Sequence, residues 1–412
     1  MNIRIITIAS PLHDEQVLNE ELQNILSEVK LSYQLSRAAQ YVPGNDELPI
    51  YHIATGGTEN IFLQTIAQHT PSQSHPIYLL TTQRNNSLAA SLEILSYLNA
   101  HGMRGEILHG TPKAVAQQLH DIQRMADAEQ LCRHANLGII GKPSDWLISS
   151  TYDTEAIEKK LSAHLLNIDI NELIDAFHTV TDMDCFDDMA QTTFFQRWEK
   201  KGEALPKAMT DATRIYLALK ILIQRYQLTG LTLRCFDLLG TLHNTGCWAL
   251  ARLNAEGIIA TCEGDVPAML SMLISKALTG QTGFMANPSF IDYDNQQIIF
   301  AHCTIPLDMV KSYAFDTHFE SGIGIGICGQ IEGNRVTIFK TDGTLSRCII
   351  DEATLTEHTY SDRLCRTQIK LHPDQPETIK TMLSQPIGNH QIILQGEYKQ
   401  LIAKMLDSIK NN

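Results

Sequence analysis

The chain has 412 residues, of which 43% are hydrophobic and 19% are charged, and its formal net charge is -14. This length predicts two or three domains, and the composition argues against long disordered stretches. The negative charge and the lack of a dense Lys/Arg run argue against nucleic acid as a partner, because binding to a phosphate backbone depends on basic side chains.

The nine cysteines are scattered without a paired CxxC arrangement, which predicts reduced thiols and no disulfide framework. The first ten residues, MNIRIITIAS, have the pattern of a strand and lack the basic and apolar regions of a signal peptide. Every apolar run is shorter than the roughly 20 residues that cross a bilayer. We therefore expect a cytoplasmic protein with no membrane partner.

The first part of the sequence alternates apolar runs with amphipathic helical segments, which is typical of a parallel sheet covered by helices. We expect a Rossmann-like α/β domain over residues 1–134. In chain order its predicted elements are a strand at 2–8, a helix at 15–35, a strand at 49–54, a helix at 60–68, a strand at 77–82, a helix at 87–100 and a strand at 105–109.

The same alternation continues over residues 135–280, which predicts a second Rossmann-like α/β domain. Its predicted elements are a strand at 137–140, a polar and helical stretch at 154–179, a helix at 211–226, a strand at 231–239, a helix at 245–256, a strand at 258–262 and a helix that begins at Ala268.

Beyond Gly280, short β-like runs are separated by Gly, Asn and Asp turns, which predicts a β-rich domain over residues 281–412. The expected fold class is therefore α/β, with two Rossmann-like parallel-sheet α/β domains followed by a β-rich C-terminal domain. The predicted elements of this last domain are strands at 298–302, 322–328, 335–341, 346–350 and 390–395, and helices at 378–384 and 396–409.

Two carboxylates, Glu263 and Asp265, follow the strand predicted at 258–262. The carboxyl ends of parallel strands meet helix N-termini in the crevice where open α/β sheets bind their ligands. An alternative interpretation of Asp265 is the N-cap of the next helix. Because Glu263 comes too early to cap that helix, we expect it to be functional.

Further polar side chains lie next to strand-like runs of the last domain: His302, His318, Glu320, Asn389 and His390. An imidazole at the end of a strand and close to carboxylates is a common metal ligand. The alternative for each histidine is a structural hydrogen bond, and the spacing alone does not decide between the two.

Three segments, Glu263-Gly264-Asp265, Leu278-Thr279-Gly280 and Met285-Ala286-Asn287, have the same spacing as three motifs of a known family, with no insertion or deletion between them. They resemble the stretch of the L-fucose isomerase and L-arabinose isomerase superfamily that carries a metal-binding Glu, an LTG turn and a metal-binding Asp. Gly388-Asn389-His390, with apolar residues and a glycine after it, resembles the segment that supplies the metal-binding histidine. The resemblance covers about the last 180 residues.

This resemblance implies a metal-dependent aldose–ketose isomerase that acts on an open-chain hexose, deoxy sugar or sulfonated sugar by proton transfer through an enediolate. The implied metal ligands are Glu263, Asn287 and His390. Mn²⁺ is the expected ion because these ligands and sugar hydroxyls form a mostly hard set. The expected catalytic residues are Glu263, Asn287 and Glu320, and the expected substrate contacts are Asp265, His302, His318 and Asn389.

Asn287 departs from the family pattern, because fucose isomerases carry an acidic ligand and candidate base at this position. An amide offers a carbonyl oxygen to a cation but brings no charge and accepts no proton near neutral pH. We therefore expect weaker metal binding than in the family. The proton-transfer role moves to Glu263 or to Glu320, between which the sequence leaves the choice open.

In the resembling enzymes a neighbouring subunit completes the active site, so the resemblance also implies a homo-oligomer, either a trimer or a hexamer. A non-catalytic sugar-binding protein of the same fold is the alternative function. Asn287 favours this alternative, and the presence of both Glu263 and His390 opposes it. A dinucleotide-binding oxidoreductase is disfavoured because no GxGxxG follows the first strand.

Overall fold

The computed structural model of the protein describes residues 1–44, 46–67, 75–194 and 208–410. They form two compact units, Met1–Ala128 and Glu129–Lys410. The fold is mixed α/β, with a parallel sheet in each unit and a β-rich C-terminal region that includes a closed barrel. The division into three domains with boundaries near residues 134 and 280 stays a prediction.

The first unit contains a five-stranded parallel sheet with the spatial order β2-β1-β3-β4-β5. Strand β4 is buried at every position, as expected for parallel strands that are covered by helices on both faces. The strands are β1 (Asn2–Ile8), β2 (Tyr33–Arg37), β3 (Glu47–Ile53), β4 (Ile77–Thr81) and β5 (Gly105–Leu108), and the helices are α1 (Glu15–Ile25), α2 (Glu59–Ala67), α3 (Ser87–Ala100) and α4 (Pro112–Arg133), within which the division between the units falls.

The predicted helix at 15–35 is wrong beyond Ile25, where α1 ends, because the segment that follows becomes strand β2. Strand β2 pairs in parallel with β1, so its backbone hydrogen bonds come from a distant segment and leave little local pattern in the sequence. The long helix α4 was not predicted. The last residue of the helix predicted at 60–68, Gln68, lies outside the described residues.

The second unit begins with a four-stranded parallel sheet in the order β7-β6-β8-β9. Its strands are β6 (Asn136–Ile140), β7 (His164–Ile168), β8 (Gly230–Leu233) and β9 (Ile259–Cys262), and its helices are α5 (Thr154–Leu161), α6 (Ile170–Thr179), α7 (Asp182–Gln191), α8 (Ala208–Tyr226), α9 (Asp237–Leu242), α10 (Cys247–Ala255) and α11 (Val266–Thr279).

Two predictions in this region are wrong in part. The stretch at 154–179 contains strand β7 as well as helices, and the strand predicted at 231–239 ends at Leu233, with α9 beginning at Asp237. In both places no glycine or proline separates the strand from the adjoining helix, so the sequence does not mark the change of period.

The rest of the second unit is a closed barrel in the order β10-β11-β16-β15-β14-β17, with the hairpin β12-β13 beside it. Inward-facing aliphatic and aromatic side chains such as Phe284, Phe300 and Ile338 fill the barrel. The elements are β10 (Phe284–Asp292), β11 (Gln297–His302), β12 (Val310–Asp316), β13 (Gly326–Ile331), β14 (Arg335–Thr341), β15 (Cys348–His358), β16 (Thr367–Pro373), α12 (Pro376–Ser384), β17 (Gln391–Gln395) and α13 (Lys399–Lys410).

Helix α11 joins the sheet to the barrel. It packs against β8 and β9 of the sheet and against β14 and β17 of the barrel, which explains why almost all of its residues are buried. The sequence just before this helix is therefore enclosed between the carboxyl edge of the sheet and one end of the barrel.

All nine cysteines are free thiols, as predicted. Among the described helices, none is both long enough and apolar enough to cross a membrane.

Candidate functional site

Glu263 leaves the sheet directly after β9 in a strained turn. Its φ is 63° and that of Gly264 is 72°, a region that side chains larger than glycine rarely adopt. The Glu263 carbonyl accepts a hydrogen bond from the Ser144 amide at 2.9 Å, and the Gly264 amide donates to the Leu233 carbonyl at 3.1 Å. A Cβ on Gly264 would lie 2.6 Å from the Lys142 carbonyl oxygen, so the turn is held tightly against the loop after β6.

The structure brings Glu263, His302 and His390 together. All three are buried, and one ligand atom of each lies within 4.8 Å of those of the other two. Glu263 follows β9 of the sheet, whereas His302 ends β11 and His390 immediately precedes β17 of the barrel. One carboxylate and two imidazoles in a buried pocket are a donor set compatible with a divalent metal ion.

Two details of the histidines fit such an ion. His390 Nε2 is buried 3.6 Å from Glu263 Oε1 and has no hydrogen-bond partner within the described part of the chain. Buried polar atoms normally have a hydrogen-bond partner or bind an ion, and a metal ion would be such a partner for this nitrogen. His302 Nδ1 lies 2.9 Å from the Thr304 hydroxyl, which leaves Nε2 as the nitrogen that can bind an ion.

Three fully buried residues, His390, Asp265 and Lys340, are linked in this order on the Nδ1 side of the His390 ring. Asp265 Oδ2 lies 2.8 Å from His390 Nδ1, and the same carboxylate lies 3.2 Å from the Lys340 ammonium. Asp265 Oδ1 also accepts the Ala268 amide at 2.8 Å, so the N-cap interpretation of Asp265 is confirmed. In the neutral imidazole an ionised Asp265 holds the proton on Nδ1, which leaves the lone pair of Nε2 on the side of Glu263.

The charges of these groups follow from burial and from one another. Burial raises the pKa of Asp265, but the Lys340 charge and the His390 hydrogen bond outweigh it and lower that pKa well below its usual value. Burial likewise opposes ionisation of Glu263, yet His390, His302 and the Trp146 N–H lower its pKa to about 2. Both carboxylates are therefore ionised at neutral pH.

The two histidines differ. Burial and the nearby His390 charge lower the pKa of His302 to about 4, so it is neutral and ready to bind a cation at neutral pH. Burial also lowers the pKa of His390, but its hydrogen bond to Asp265 and the nearby Glu263 carboxylate more than compensate and the pKa is raised. A cation at His390 Nε2 therefore competes with a proton as the pH falls.

Asn287 lies on the strand between the two histidines. It pairs with Ala301, the residue before His302, and it follows Ala286, which pairs with Gln391, the residue after His390. Its Oδ1 is buried without a hydrogen-bond partner among the described residues. The predicted role of Asn287 as a weak ligand stays a prediction, and this position is consistent with it.

The remaining predicted residues lie around this group. His318 is buried, with Nδ1 3.0 Å from the Ser321 hydroxyl, whereas Glu320 and Asn389 are exposed. The pKa of the Cys365 thiol is raised by its hydrogen bond with Cys303, by burial and, more weakly, by the charges of Glu320 and Glu263.

The geometry modifies two of the predicted roles. Asp265 is fully buried with its oxygens taken by three donors, which favours positioning of His390 over the predicted sugar contact. His302 was predicted as a sugar contact, and its place in the group favours a metal-ligand role.

Two further residues lie next to the group. Lys340 reaches Asp265 from β14, and Trp146 donates its indole N–H to Glu263 Oε2 at 2.7 Å. Lys340 was not predicted as a site residue, and its place directly after Phe339 in a buried strand was the available signal. Trp146 belongs to the segment 141–146 after a predicted strand, which the sequence left open between a contact to the far end of a sugar and a simple turn.

Curated proteins similar to this chain are named sulfoquinovose isomerase. The one from Alkalicoccus urumqiensis is 25% identical over 232 residues, which cover 53% of this chain and 49% of that protein. The one from Clostridium sp. (strain MSTE9) is 24% identical over 352 residues, or 79% and 75% of the two chains. The one from Priestia aryabhattai is 22% identical over 273 residues, or 63% and 60%.

The chain thus spans about half the length of the Alkalicoccus urumqiensis relative. No protein-family model matches it. The names of the relatives agree with the sugar isomerase class that the sequence motifs imply.

The buried ion pair predicts that Lys340→Met destabilises the protein by about 3 kcal/mol, because it leaves the Asp265 carboxylate buried without its cationic partner. Urea unfolding in the presence of a chelator measures this loss. Lys380→Met is the matched control, since Lys380 is 66% exposed and pairs with an equally exposed Glu377. Equal stability of the two variants would contradict the buried ion pair.

Proposed function

We propose that this chain is a metal-dependent isomerase that interconverts an open-chain aldose and the corresponding ketose, with a sulfonated hexose as its substrate. The observation that carries the proposal is the buried group of Glu263, His302 and His390, which offers one carboxylate and two imidazoles to one ion. The names of the relatives support the isomerase class and the sulfonated substrate.

The reaction moves a proton between adjacent carbons and passes through a negatively charged enediolate. A divalent ion, Mn²⁺ in this proposal, supplies Lewis-acid stabilisation of that charge when bound. Glu263, His302 and His390 would hold the ion, and Asn287 would add a neutral oxygen. Burial of these side chains keeps water away from the charged oxygens of the sugar and strengthens each electrostatic contact.

We assign the proton-carrying role to Glu320. The Glu263 carboxylate is already engaged, since Oε2 accepts the Trp146 N–H and Oε1 faces His390. Glu320 is exposed, and its charge contributes with that of Glu263 to the raised pKa of the Cys365 thiol, which is consistent with a place near the group. An exposed carboxylate can exchange its proton with water between turnovers, whereas a buried ligand cannot do so freely.

The proposed function is tested with the purified protein, first stripped of metal and then reloaded with Mn²⁺. The sugars are sulfoquinovose, glucose, L-fucose and L-arabinose, and NMR in D₂O follows ketose formation and deuterium incorporation at C2. We expect conversion of the sulfonated sugar by the reloaded protein only. Failure to convert any of these sugars would reject the isomerase, and binding of a sugar without turnover would favour a non-catalytic sugar-binding protein.

Two glutamine variants separate metal binding from proton transfer. We expect Glu263→Gln to lose both Mn²⁺ binding and turnover while the circular dichroism spectrum is retained. We expect Glu320→Gln to bind Mn²⁺ as the unmodified protein does but to lose turnover by roughly 100-fold or more, the usual contribution of a general base. Full turnover in Glu320→Gln would return the proton-carrying role to Glu263.

Asn287→Asp tests whether the amide faces the ion. The added carboxylate should tighten Mn²⁺ binding roughly 10-fold, because affinity for hard cations rises with the charge of the ligands. Asn389→Asp is the matched control, since it places the same charge next to His390 on an exposed side chain where water screens it. Isothermal titration compares the two variants, and an unchanged affinity in Asn287→Asp would remove this residue from the site.

A further inference from the structure

Trp146 occupies an unusual place beside the metal-binding group. Its indole N–H donates to Glu263 Oε2 at 2.7 Å, while Oε1 of the same carboxylate lies 3.6 Å from His390 Nε2. The two oxygens of Glu263 therefore have different partners. One is tied to the indole, and the other is free to face an ion shared with His390.

Hydrogen bonds from Arg234 and to Glu263 hold the loop that carries Trp146 in place. Arg234, almost buried, donates to the Pro143 carbonyl at 2.6 Å and to the Asp145 carboxylate at 2.8 Å. The Ser144 amide in the same loop binds the Glu263 carbonyl. Trp146 thus follows β6, the residue that it binds follows β9, and both stand on the rigid carboxyl edge of one parallel sheet.

The ring of Trp146 continues into a row of aromatic side chains. It meets Phe236, which follows β8, edge to face at 4.8 Å between ring centroids, and Phe236 meets His318 in the same way at 5.4 Å. The row therefore runs from the residue that binds Glu263 to His318, a predicted sugar contact.

Trp146 is also 51% exposed, which is high for a residue held so firmly. A tryptophan with a fixed N–H and an open ring suits a ligand that has polar groups on one side and an apolar face on the other. The carbon-bound hydrogens of a sugar form such an apolar face, and its hydroxyls would point toward the ion.

We propose that Trp146 is a positioning residue for Glu263 and that its ring, with Phe236 and His318, forms the wall of the site against which the C–H face of the sugar packs. The first part concerns metal binding alone, and the second rests on the proposed isomerase function. The indole N–H restricts Glu263 to one metal-facing oxygen, and the ring sets the distance between the ion and the sugar.

Trp146→Phe and Trp146→Ala separate these two effects. Trp146→Phe keeps a ring but removes the N–H, so Mn²⁺ affinity should fall about 10-fold, as is usual when a hydrogen bond behind a metal ligand is lost, with KM little changed at saturating Mn²⁺. Trp146→Ala removes the ring as well, and we expect it to raise KM for the sugar by a further 10-fold or so. Ile148→Ala is the control, since Ile148 is 86% exposed on the same loop and should leave both values unchanged.

Fluorescence provides a readout that needs no turnover. Paramagnetic Mn²⁺ bound next to Trp146 should quench its emission, whereas Mg²⁺ should not, and this quenching should be absent in Trp146→Phe. An Mn²⁺ affinity of Trp146→Phe that matches that of the unmodified protein would overturn the positioning role, and an unchanged KM in Trp146→Ala would overturn the wall. If the unmodified protein shows quenching by Mn²⁺ but no isomerase activity, the proposed function is rejected and the positioning role of Trp146 is not.

Discussion

The buried carboxylate of Asp265 is the interaction on which the second unit and its candidate site depend. It caps helix α11 at the edge of the sheet and binds two groups of the barrel, the Lys340 ammonium and the His390 imidazole. A charge in such a place is costly unless it is paired and fully hydrogen-bonded, so the three partners must all be present. The requirement fixes the sheet and the barrel in one arrangement, and it points Nε2 of His390 toward Glu263, two residues before Asp265.

The position of the group follows from the way helix α11 is enclosed. The helix is buried on nearly all sides between the sheet and the barrel, so the turn before it cannot face solvent broadly. Glu263 takes up a positive φ in that turn, a strained conformation that the neighbouring loop over-determines through the close approach of Gly264. Backbone strain of this kind is maintained where the surrounding structure fixes the direction of a side chain. Here it directs the Glu263 carboxylate toward the two histidines at the end of the barrel.

The sequence supported Glu263 and His390 in two ways. The local pattern indicated Glu263, because this carboxylate comes just past the end of a buried strand. The family resemblance supported both residues, through the spacing of Glu263 to the two segments that end at Gly280 and Asn287 and through the segment that ends at His390. The strand ends were predicted within a few residues where polar turns separate the elements, and wrongly where no glycine or proline separates a strand from the next helix, as after Leu233. The parallel edge strand β2 was missed because its partner lies elsewhere in the chain.

The contacts of Lys340 with Asp265 and of Trp146 with Glu263 could not be assigned from the sequence, because they join residues 75 and 117 positions apart. Local patterns report which face of an element is apolar, but they do not report which polar side chains of two elements meet. His302 shows the same limit. Its place at the end of a strand was visible, whereas its choice between sugar contact and metal ligand depends on the distance to His390, which lies on the other side of β10.

The charge balance of the site links Asn287 to the proposed substrate. Asp265 is neutralised by Lys340, so Glu263 is the one carboxylate left to face a divalent ion in the group that the described residues form. With an amide at position 287, a bound divalent ion would keep about one net positive charge in a pocket of low dielectric constant. A carboxylate there would cancel it. A centre with a residual positive charge attracts an anionic ligand more strongly than a neutral one, and a sulfonated sugar is anionic at every physiological pH. The substitution that argues for weaker metal binding thus also supports selection of a charged sugar over a neutral hexose.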